Sequence, residues 1–392
     1  MYVIGKEEAD AAARVIESRR IFRYLGKEKS QGELFEEEWS SKIGADYTVA
    51  VTSGTAALIC GLVGLGIGPG DEVIVPGYTF MATAMAPLAV GAVPVIAEVD
   101  ESMTIDPADV ERKITSRTRA IIPVHMDGLP CDMAAVMRIA RKHGLGILED
   151  VAQAAGGSYD GKRLGSIGDA GAFSFNYWKI ITSGEGGALT TSDRTVYERA
   201  LLQHDSACIF RDYASGITTP FFCGWNFRLS EILSAILRVQ VGRLDGILEA
   251  LRAEKRLLIE ELHDATAFRF SRVNDAEGDC ATKLMLLFES AQAAKTFTER
   301  MQAEGIDAYY VINSDRHLYS NWDPILEKRG AHHPARDPLQ APDLAVEYSK
   351  DMCPRTLDLA RRTVGVPTNP ARTPEGTKEL ARKIRRAAER QE

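Results

Sequence analysis

From residue 48 to residue 150 the sequence alternates between short apolar strand patterns and segments with helical spacing. The strand patterns lie at 48–52, 72–75, 93–99, 120–125 and 145–149. Helical patterns such as 56–65 and 133–143 separate them. This alternation is typical of a mostly parallel sheet with helices on both faces. It therefore predicts an α/β fold for this part of the chain.

Several candidate binding residues fall at or just after the predicted strand ends. They are Ser53, Phe80, His125 and Asp150. In parallel sheets of this kind, ligands bind at the carboxyl ends of the strands. We therefore expect these residues to face a common site, although His125 could equally be a packed, hydrogen-bonded histidine.

A single lysine, Lys179, lies between two strand patterns, 172–175 and 188–190, and a Gly-Glu-Gly-Gly run (184–187) follows it. A loop lysine whose ammonium is desolvated becomes a usable nucleophile. This placement predicts that Lys179 forms a Schiff base with pyridoxal phosphate (PLP). A solvated surface lysine is the alternative.

The phosphate of PLP needs backbone N–H groups and hydroxyls, and the start of a helix supplies them. Ser53-Gly54-Thr55 follows a strand and opens a helix, and Ser174 lies five residues before Lys179. An ordinary N-cap is the alternative interpretation of Ser53.

The pyridine ring of PLP acts as an electron sink when its nitrogen stays protonated, which a buried carboxylate can ensure. Asp150 ends a predicted strand, and Gln153 lies three residues on. Phe80 could stack on the ring. The alternatives are a helix cap for Asp150 and a core aromatic for Phe80.

A set of motifs then points to one family. The motifs are Ser-Gly-Thr-Ala-Ala-Leu (53–58), Pro-Gly-Tyr-Thr-Phe-Met-Ala-Thr (76–83), Glu-Asp-Val-Ala-Gln-Ala (149–154), Gly-Asp-Ala-Gly-Ala-Phe-Ser-Phe (168–175), Lys179 with 184–187, and Asn226 with Arg228. Together they resemble the DegT/StrS-like sugar aminotransferases of PLP fold type I. The resemblance is strong over residues 30–260 and looser towards the C-terminus.

The resemblance implies a role for each matching residue. Lys179 forms the Schiff base, Asp150 pairs with the ring nitrogen, Phe80 stacks on the ring, Gly54, Thr55 and Ser174 hold the phosphate, and Gln153 lies near the ring oxygen. Asn226 would reach the phosphate of the neighbouring subunit. That placement implies a homodimer with shared active sites.

The acceptor substrate is less constrained than the cofactor. Residues 22–24 and 123–126 look similar to a subgroup that aminates the terminal carbon of an eight-carbon keto-deoxy sugar acid, the 8-amino-3,8-dideoxy-octulosonate transaminases. The candidate substrate contacts are Tyr24, His125, Arg228 and His317. Arg23 or Arg228 could hold a carboxylate, but solvated surface arginines are the alternative. Segments 176–181 and 204–223 depart from the common family pattern.

The leading hypothesis is transfer of an amino group from an amino acid, such as L-glutamate, to a keto or aldehyde sugar. A PLP-dependent elimination or cyclisation on an amino-acid-like or deoxysugar substrate is the second hypothesis. A regulatory homologue without catalysis is the third, which the intact Lys179 and Asp150 disfavour.

The length of 392 residues suggests two domains. We expect a large PLP-binding domain with a seven-stranded type of sheet over residues 1–250, including a helical segment at 6–20. A smaller α/β domain would occupy 251–392. A long helix over 230–263, capped by Ser230 and kinked near Gly242, would connect them. Strands at 281–288 and 307–312, a helix at 291–305 and a last helix opened by Thr373-Pro374 would follow.

Composition limits partners and location. The net charge is −8, and the one long basic run, 382–390, includes Glu389, which disfavours nucleic-acid binding. Six scattered cysteines and isolated histidines predict no metal site and no disulfide framework, and they favour a reducing compartment. The most apolar window, 81–99, is interrupted by prolines and a glycine and predicts helix, turn and strand instead of a membrane span. A cytoplasmic protein is expected.

Overall fold

The computed structural model describes residues 3–25, 28–342 and 344–389. The strands are β1 (Tyr47–Val51), β2 (Glu72–Pro76), β3 (Val93–Ala97), β4 (Thr118–Ile121), β5 (Gly146–Asp150), β6 (Ser158–Tyr159), β7 (Lys162–Arg163), β8 (Ala170–Ser174), β9 (Gly187–Thr191), β10 (Phe268–Phe270), β11 (Lys283–Phe288), β12 (Tyr309–Tyr310) and β13 (Thr363–Pro367). The helices are α1 (Lys6–Ser18), α2 (Gln31–Ile43), α3 (Gly54–Gly64), α4 (Ala82–Ala89), α5 (Pro107–Lys113), α6 (Met133–His143), α7 (Arg194–His204), α8 (Glu231–Glu261), α9 (Ala291–Ala303), α10 (Asp323–Leu326), α11 (Pro354–Arg362) and α12 (Pro374–Glu389).

Seven strands form the main sheet, in the order β1-β9-β8-β5-β4-β2-β3. Among the described strands of this sheet, β9 alone runs against its neighbours, β1 and β8. Most of its strands are buried along almost their whole length, as expected for a parallel sheet covered on both faces. The predicted α/β fold with a mostly parallel sheet is confirmed.

A second sheet of four strands, β10-β11-β13-β12, is antiparallel throughout its described pairs. Its core combines Leu284, Leu286 and Val366 from the strands with Phe297 and Ile384 from α9 and α12. Helix α8 contacts α1 and α2 as well as α12 and β11. The predicted boundary at residues 250 and 251 falls inside α8, so the division into domains stays a prediction.

Two helices, α2 and α7, were not predicted from the sequence. A reciprocal capping box starts α2: the Glu33 N–H donates to Ser30 Oγ at 3.1 Å, and the Ser30 N–H donates to Glu33 Oε2 at 2.7 Å. This helix buries Phe35 and Trp39 against the sheet. Helix α7 forms from a segment that sequence patterning described only as charged, because Asp193 caps it.

Ser230 is the N-cap residue of α8, as predicted, although its side chain makes no capping hydrogen bond. Three local expectations were wrong. Helix α8 runs unbroken through Gly242. The strand expected at 120–125 leaves the regular ladder at Ile121, since Pro123 has no N–H to donate. The strand expected at 307–312 is only two residues long because the chain then enters a 3₁₀ turn.

The apolar window at 81–99 forms α4 and β3, as predicted. Among the described residues, no helix combines the length and apolar character needed to span a membrane.

Candidate active site

A cavity of about 730 Å³ opens at the carboxyl ends of the parallel strands. It brings together most of the predicted cofactor residues and one predicted substrate residue: Ser53, Gly54, Thr55, Phe80, Asp150, Gln153, Ser174, Lys179 and His317. The opposite wall comes from the C-terminal part of the chain. Its residues include Thr282, Lys283, Tyr309 and the segment 313–317.

Asp150 is the last residue of β5 and is almost fully buried. Its Oδ2 accepts a hydrogen bond from Thr83 Oγ1 at 2.8 Å, and its Oδ1 accepts one from the Ala152 N–H at 3.1 Å. Burial raises the pKa of this carboxyl, and the two hydrogen bonds oppose the rise. Both oxygens are thus oriented by fixed donors. The carboxyl can pair with one further cationic or protonated group in the cavity.

Lys179 lies on the loop between β8 and β9. Its N–H donates to the Asn176 carbonyl at 3.0 Å, and the next residues, Ile180 and Ile181, are buried in the core. The bulky residues after the lysine, which looked like a departure from the family pattern, therefore anchor the loop. Burial lowers the pKa of the Lys179 ammonium, partly offset by the charge of Asp150. A lysine of this kind gives up its proton more easily than a solvated one.

The predicted phosphate site is a close contact between a helix start and a strand end. A Cβ built on Gly54 would lie 2.8 Å from Ser174 Cβ, so only glycine fits there without a shift. The N–H groups of Gly54 and Thr55 belong to the first turn of α3, where amides have no intrahelical acceptor. Ser53 Oγ accepts a hydrogen bond from the Ala56 N–H at 3.1 Å, as an N-cap does.

Phe80 and His317 form one side of the cavity entrance, with ring centroids 5.6 Å apart. The His317 ring is hydrogen-bonded to Ser314 Oγ at 3.0 Å through Nδ1. Burial lowers the pKa of His317 to about 4, so the ring is neutral near pH 7. Gln153 Oε1 accepts a hydrogen bond from the Asp127 N–H at 3.1 Å.

His125 lies apart from the cavity lining and is fully buried. Its Nδ1 accepts a hydrogen bond from the Cys131 N–H at 3.1 Å, and its Nε2 lies 3.1 Å from Glu149 Oε2. Glu149 also accepts hydrogen bonds from the N–H groups of Gly165, Ile167 and Gly168. This arrangement supports the packed, hydrogen-bonded interpretation of His125. Its role as a substrate contact stays a prediction that these contacts do not favour.

The other predicted residues lie outside the cavity lining of their own chain. Arg228 is ion-paired with the buried Asp205 at 2.5 Å, and Arg211 shares that carboxylate. The guanidinium of Arg211 lies 4.2 Å from the centroid of the Tyr24 ring. Asn226 is exposed on the same loop as Arg228. The roles of Tyr24, Asn226 and Arg228 remain predictions.

Arg23 requires a correction. It was weighed as a solvated surface arginine, but it is buried and ion-paired with Glu36 at 2.5 Å. Glu36 also accepts a hydrogen bond from the Ala50 N–H, which links α2 to β1. Arg23 therefore holds the N-terminal segment against the sheet.

Sequence reasoning missed several residues of the site. Lys283 forms an ion pair with Asp127, and its Nζ lies 4.0 Å from the centroid of the Tyr309 ring. Thr83 orients Asp150. Lys283 falls inside the predicted strand 281–288, and no local signal marked it or its partner. Thr83 lies inside a quoted motif, which could have flagged it.

The lining fits PLP. A lysine amine, a buried carboxyl and a helix start packed on Ser174 face the same cavity. Lys179 would hold the aldehyde carbon, Asp150 the ring nitrogen, and Gly54 and Thr55 the phosphate. When bound, the group supplies an electrophilic carbonyl and an electron sink.

Comparison with known proteins agrees with this geometry. Residues 3–385 match the DegT/DnrJ/EryC1/StrS aminotransferase family. A Streptomyces venezuelae relative, dTDP-3-amino-3,4,6-trideoxy-alpha-D-glucose transaminase, is 44% identical over 256 residues, which span 64% of each chain. The crystal structure of 3-amino-5-hydroxybenzoic acid synthase covers 98% of this chain and 97% of its own at 29% identity, with a TM-score of 0.81. The structure of S. venezuelae DesV in complex with a ketimine intermediate covers 98% of this chain and 95% of its own at 32% identity, with a TM-score of 0.77.

The family match extends over nearly the whole chain, and the two structures share its architecture from end to end. The family, the fold type and PLP as the cofactor, all expected from the motifs, are confirmed. The chain belongs to the DegT/DnrJ/EryC1/StrS aminotransferase family.

Proposed function

We propose that the protein transfers the amino group of an amino acid, L-glutamate, to a keto or aldehyde sugar or a sugar-like acceptor. The observation that carries the proposal is the placement of Lys179 and the buried Asp150 in one cavity. Burial lowers the pKa of the Lys179 amine, so its neutral form, which can act as a base, forms more easily than that of a solvated lysine. The pair therefore supplies the base and the carboxylate that amino-group transfer needs.

Each residue has a defined task in this proposal. With PLP bound, the free Lys179 amine would carry the proton that amino-group transfer moves. Asp150 would keep the ring nitrogen protonated, and Thr83 and the Ala152 N–H hold the carboxyl in place. Fixed donors of this kind need no rearrangement during the reaction.

A sugar acceptor is supported by the relatives. The S. venezuelae relative is named for a dTDP-linked amino sugar. The resemblance of residues 22–24 and 123–126 to the 8-amino-3,8-dideoxy-octulosonate transaminases adds an eight-carbon keto-deoxy sugar acid as the first acceptor to test.

The working form is proposed to be a homodimer in which each subunit completes the other's site. Asn226 and Arg228 lie outside the cavity of their own chain, and the surface near them is unusually apolar. Phe210 and Trp225 are 83% and 66% exposed. Large exposed aromatic residues in one region mark an interaction surface.

The activity test measures the reaction of the enzyme with the amino donor alone. Incubation of the PLP-loaded enzyme with L-glutamate should convert the cofactor absorbance and release one equivalent of 2-oxoglutarate, before any acceptor is added. Keto sugars, beginning with the eight-carbon acid, are then screened for restoring the starting spectrum. A spectrum that does not respond to L-glutamate, or turnover of an acceptor without 2-oxoglutarate, would contradict transfer and favour elimination.

Shared sites are tested by mixing two inactive variants, Lys179→Ala and Asn226→Ala, under conditions that exchange subunits. In a mixed dimer one site has both Lys179 and Asn226. Random pairing should therefore restore about a quarter of the wild-type activity. Restoration close to zero, with subunit exchange verified, would mean that each chain builds its own site.

A further inference from the structure

The cavity contains a second lysine, Lys283, on the wall opposite the strand ends. It is the first residue of β11, and its side chain is 22% exposed. Its Nζ pairs with Asp127 Oδ1 and lies 4.0 Å from the centroid of the Tyr309 ring. The family's Schiff-base chemistry uses Lys179 and leaves this second cation without a task.

Asp127 fixes Lys283 in place. Its second carboxylate oxygen accepts a hydrogen bond from Tyr78 at 2.7 Å, and its side chain is almost completely buried. Its backbone has a φ of 55°, which is uncommon for a residue other than glycine. Although burial alone would raise it, the charge of Lys283 holds the pKa of Asp127 below its usual range. Asp127 therefore remains an anion, with one carboxylate oxygen paired with Lys283 and the other with Tyr78.

The accessible member of the pair is thus the ammonium. An ammonium has three N–H donors, of which Asp127 takes one and the face of the Tyr309 ring attracts the charge from another side. The exposed part of Lys283 borders the cavity that also contains Lys179. It can donate to an oxygen of whatever molecule lies between the two lysines.

We propose that Lys283 binds the α-carboxylate of the amino donor, with Asp127 as its positioning residue. This inference rests on the proposed function, because an amino-acid donor always brings a carboxylate next to the carbon whose proton Lys179 moves. The cation is held before the donor arrives, so binding requires little reorganisation.

The Asp127 pairing also explains how one site takes two substrates in turn. A lone lysine would favour an anion strongly over a neutral group. The Asp127–Lys283 pair has no net charge, so a sugar hydroxyl can replace the carboxylate in the second half of the reaction without leaving an unpaired buried charge.

Arg316 is the matched control on the same wall. It lines the same cavity but is exposed, and its side chain makes no hydrogen bond or ion pair among the described residues. A general requirement for positive charge would make Arg316 and Lys283 equally important. A fixed carboxylate site requires Lys283 alone.

The first experiment measures binding without chemistry. Calorimetric titration of the PLP-loaded enzyme with glutarate should give a dissociation constant that rises roughly tenfold to a hundredfold in Lys283→Met, as expected for loss of a hydrogen bond to a charged group. Arg316→Gln should change it less than about twofold. If Lys283→Met fails to fold because Asp127 is left unpaired, the double variant Asp127→Asn with Lys283→Met replaces it. Equal dissociation constants for wild type and variant, or no glutarate binding by the wild type, overturn the assignment.

The second experiment identifies the carboxylate. The concentration of donor that half-saturates the first half-reaction is compared for L-glutamine, which keeps the α-carboxylate, and for L-glutamate α-amide, which lacks it. Lys283→Met should raise the half-saturating concentration of L-glutamine. The rise should be at least about fivefold smaller for the α-amide, because a neutral acceptor forms a weaker hydrogen bond with an ammonium than a carboxylate does. An equal penalty with both donors would show a structural role and overturn the inference. A wild type that binds glutarate but converts no donor would contradict the proposed function alone.

Discussion

The two lysines of the cavity differ in what holds them. Lys179 lies on a loop at the strand ends, makes no ion pair among the described residues and has a pKa lowered by burial. Lys283 lies on the opposite wall and is paired with the buried Asp127. An unpaired, desolvated lysine is available for covalent chemistry, whereas a paired lysine stays a cation. The role of a lysine in this cavity therefore depends on whether a carboxylate is paired with it, and not on the residue type alone.

The largest effect that would test this comparison is the loss of the Lys179 amine. Lys179→Ala should lower the rate of the first half-reaction with L-glutamate by at least about a thousandfold, because the proposed reaction uses the Lys179 amine as its base. Borohydride reduction followed by peptide mapping should label Lys179 in the wild type and in Lys283→Met. Labelling of Lys283 in the wild type, or loss of the Lys179 label in Lys283→Met, would reverse the assignments.

The next largest effect on the rate is expected from Asp150. Asp150→Asn should lower the same rate roughly a hundredfold to a thousandfold, because an amide cannot keep the ring nitrogen protonated. The cofactor absorbance and the half-reaction rate are measured in parallel. A rate within threefold of the wild type would contradict the role of Asp150.

Asp127→Asn should lower the stability and raise the L-glutamate concentration that half-saturates the first half-reaction. The backbone should keep its shape, since asparagine tolerates the positive φ found at this position. We expect the free energy of unfolding to fall by about 1–3 kcal/mol, less than for a fully buried pair because Lys283 can reach solvent. Denaturant unfolding of the variant and of the double variant with Lys283→Met measures this. A rate loss as large as that of Asp150→Asn would break the distinction between the two carboxylates.

The smallest effect concerns His317 and pH. Burial lowers the pKa of its ring from 6.5 to about 4, so the folded protein binds this proton more weakly than the unfolded chain does. The stability that depends on a neutral ring is present above pH 6.5 and is lost as the pH falls from 6.5 to 4, by at most about 3 kcal/mol. His317→Gln should reduce the change in the free energy of unfolding between pH 6.5 and pH 4, as measured by denaturant unfolding at a series of pH values. If the free energy of unfolding changed with pH equally in the wild type and in His317→Gln, His317 would not be the group that titrates.

The strand-end wall was largely predictable because its signals are local. A turn such as 53–55, a carboxylate after an apolar strand and a lysine before a glycine-rich loop are each visible within a few residues. The alternation from 48 to 150 predicted the sheet for the same reason. Helix α2 was missed although its capping box, Ser30 with Glu33, is also local.

The opposite wall was not predictable, because it depends on contacts between distant parts of the chain. Asp127 and Lys283 are 156 positions apart, and nothing near either one indicates the other. The interpretation of Arg23 changed for the same reason, since its partner Glu36 lies on the missed helix.

By itself the sequence determined the α/β fold, the family and the cofactor, because periodicity and short motifs encode them. Only the tertiary structure decided which neighbours each charged group has. Glu149 and Asp150 are adjacent in β5, yet the first holds the 165–168 loop and the second faces the cavity. Successive side chains of a strand point to opposite faces, and packing decides which face becomes the site.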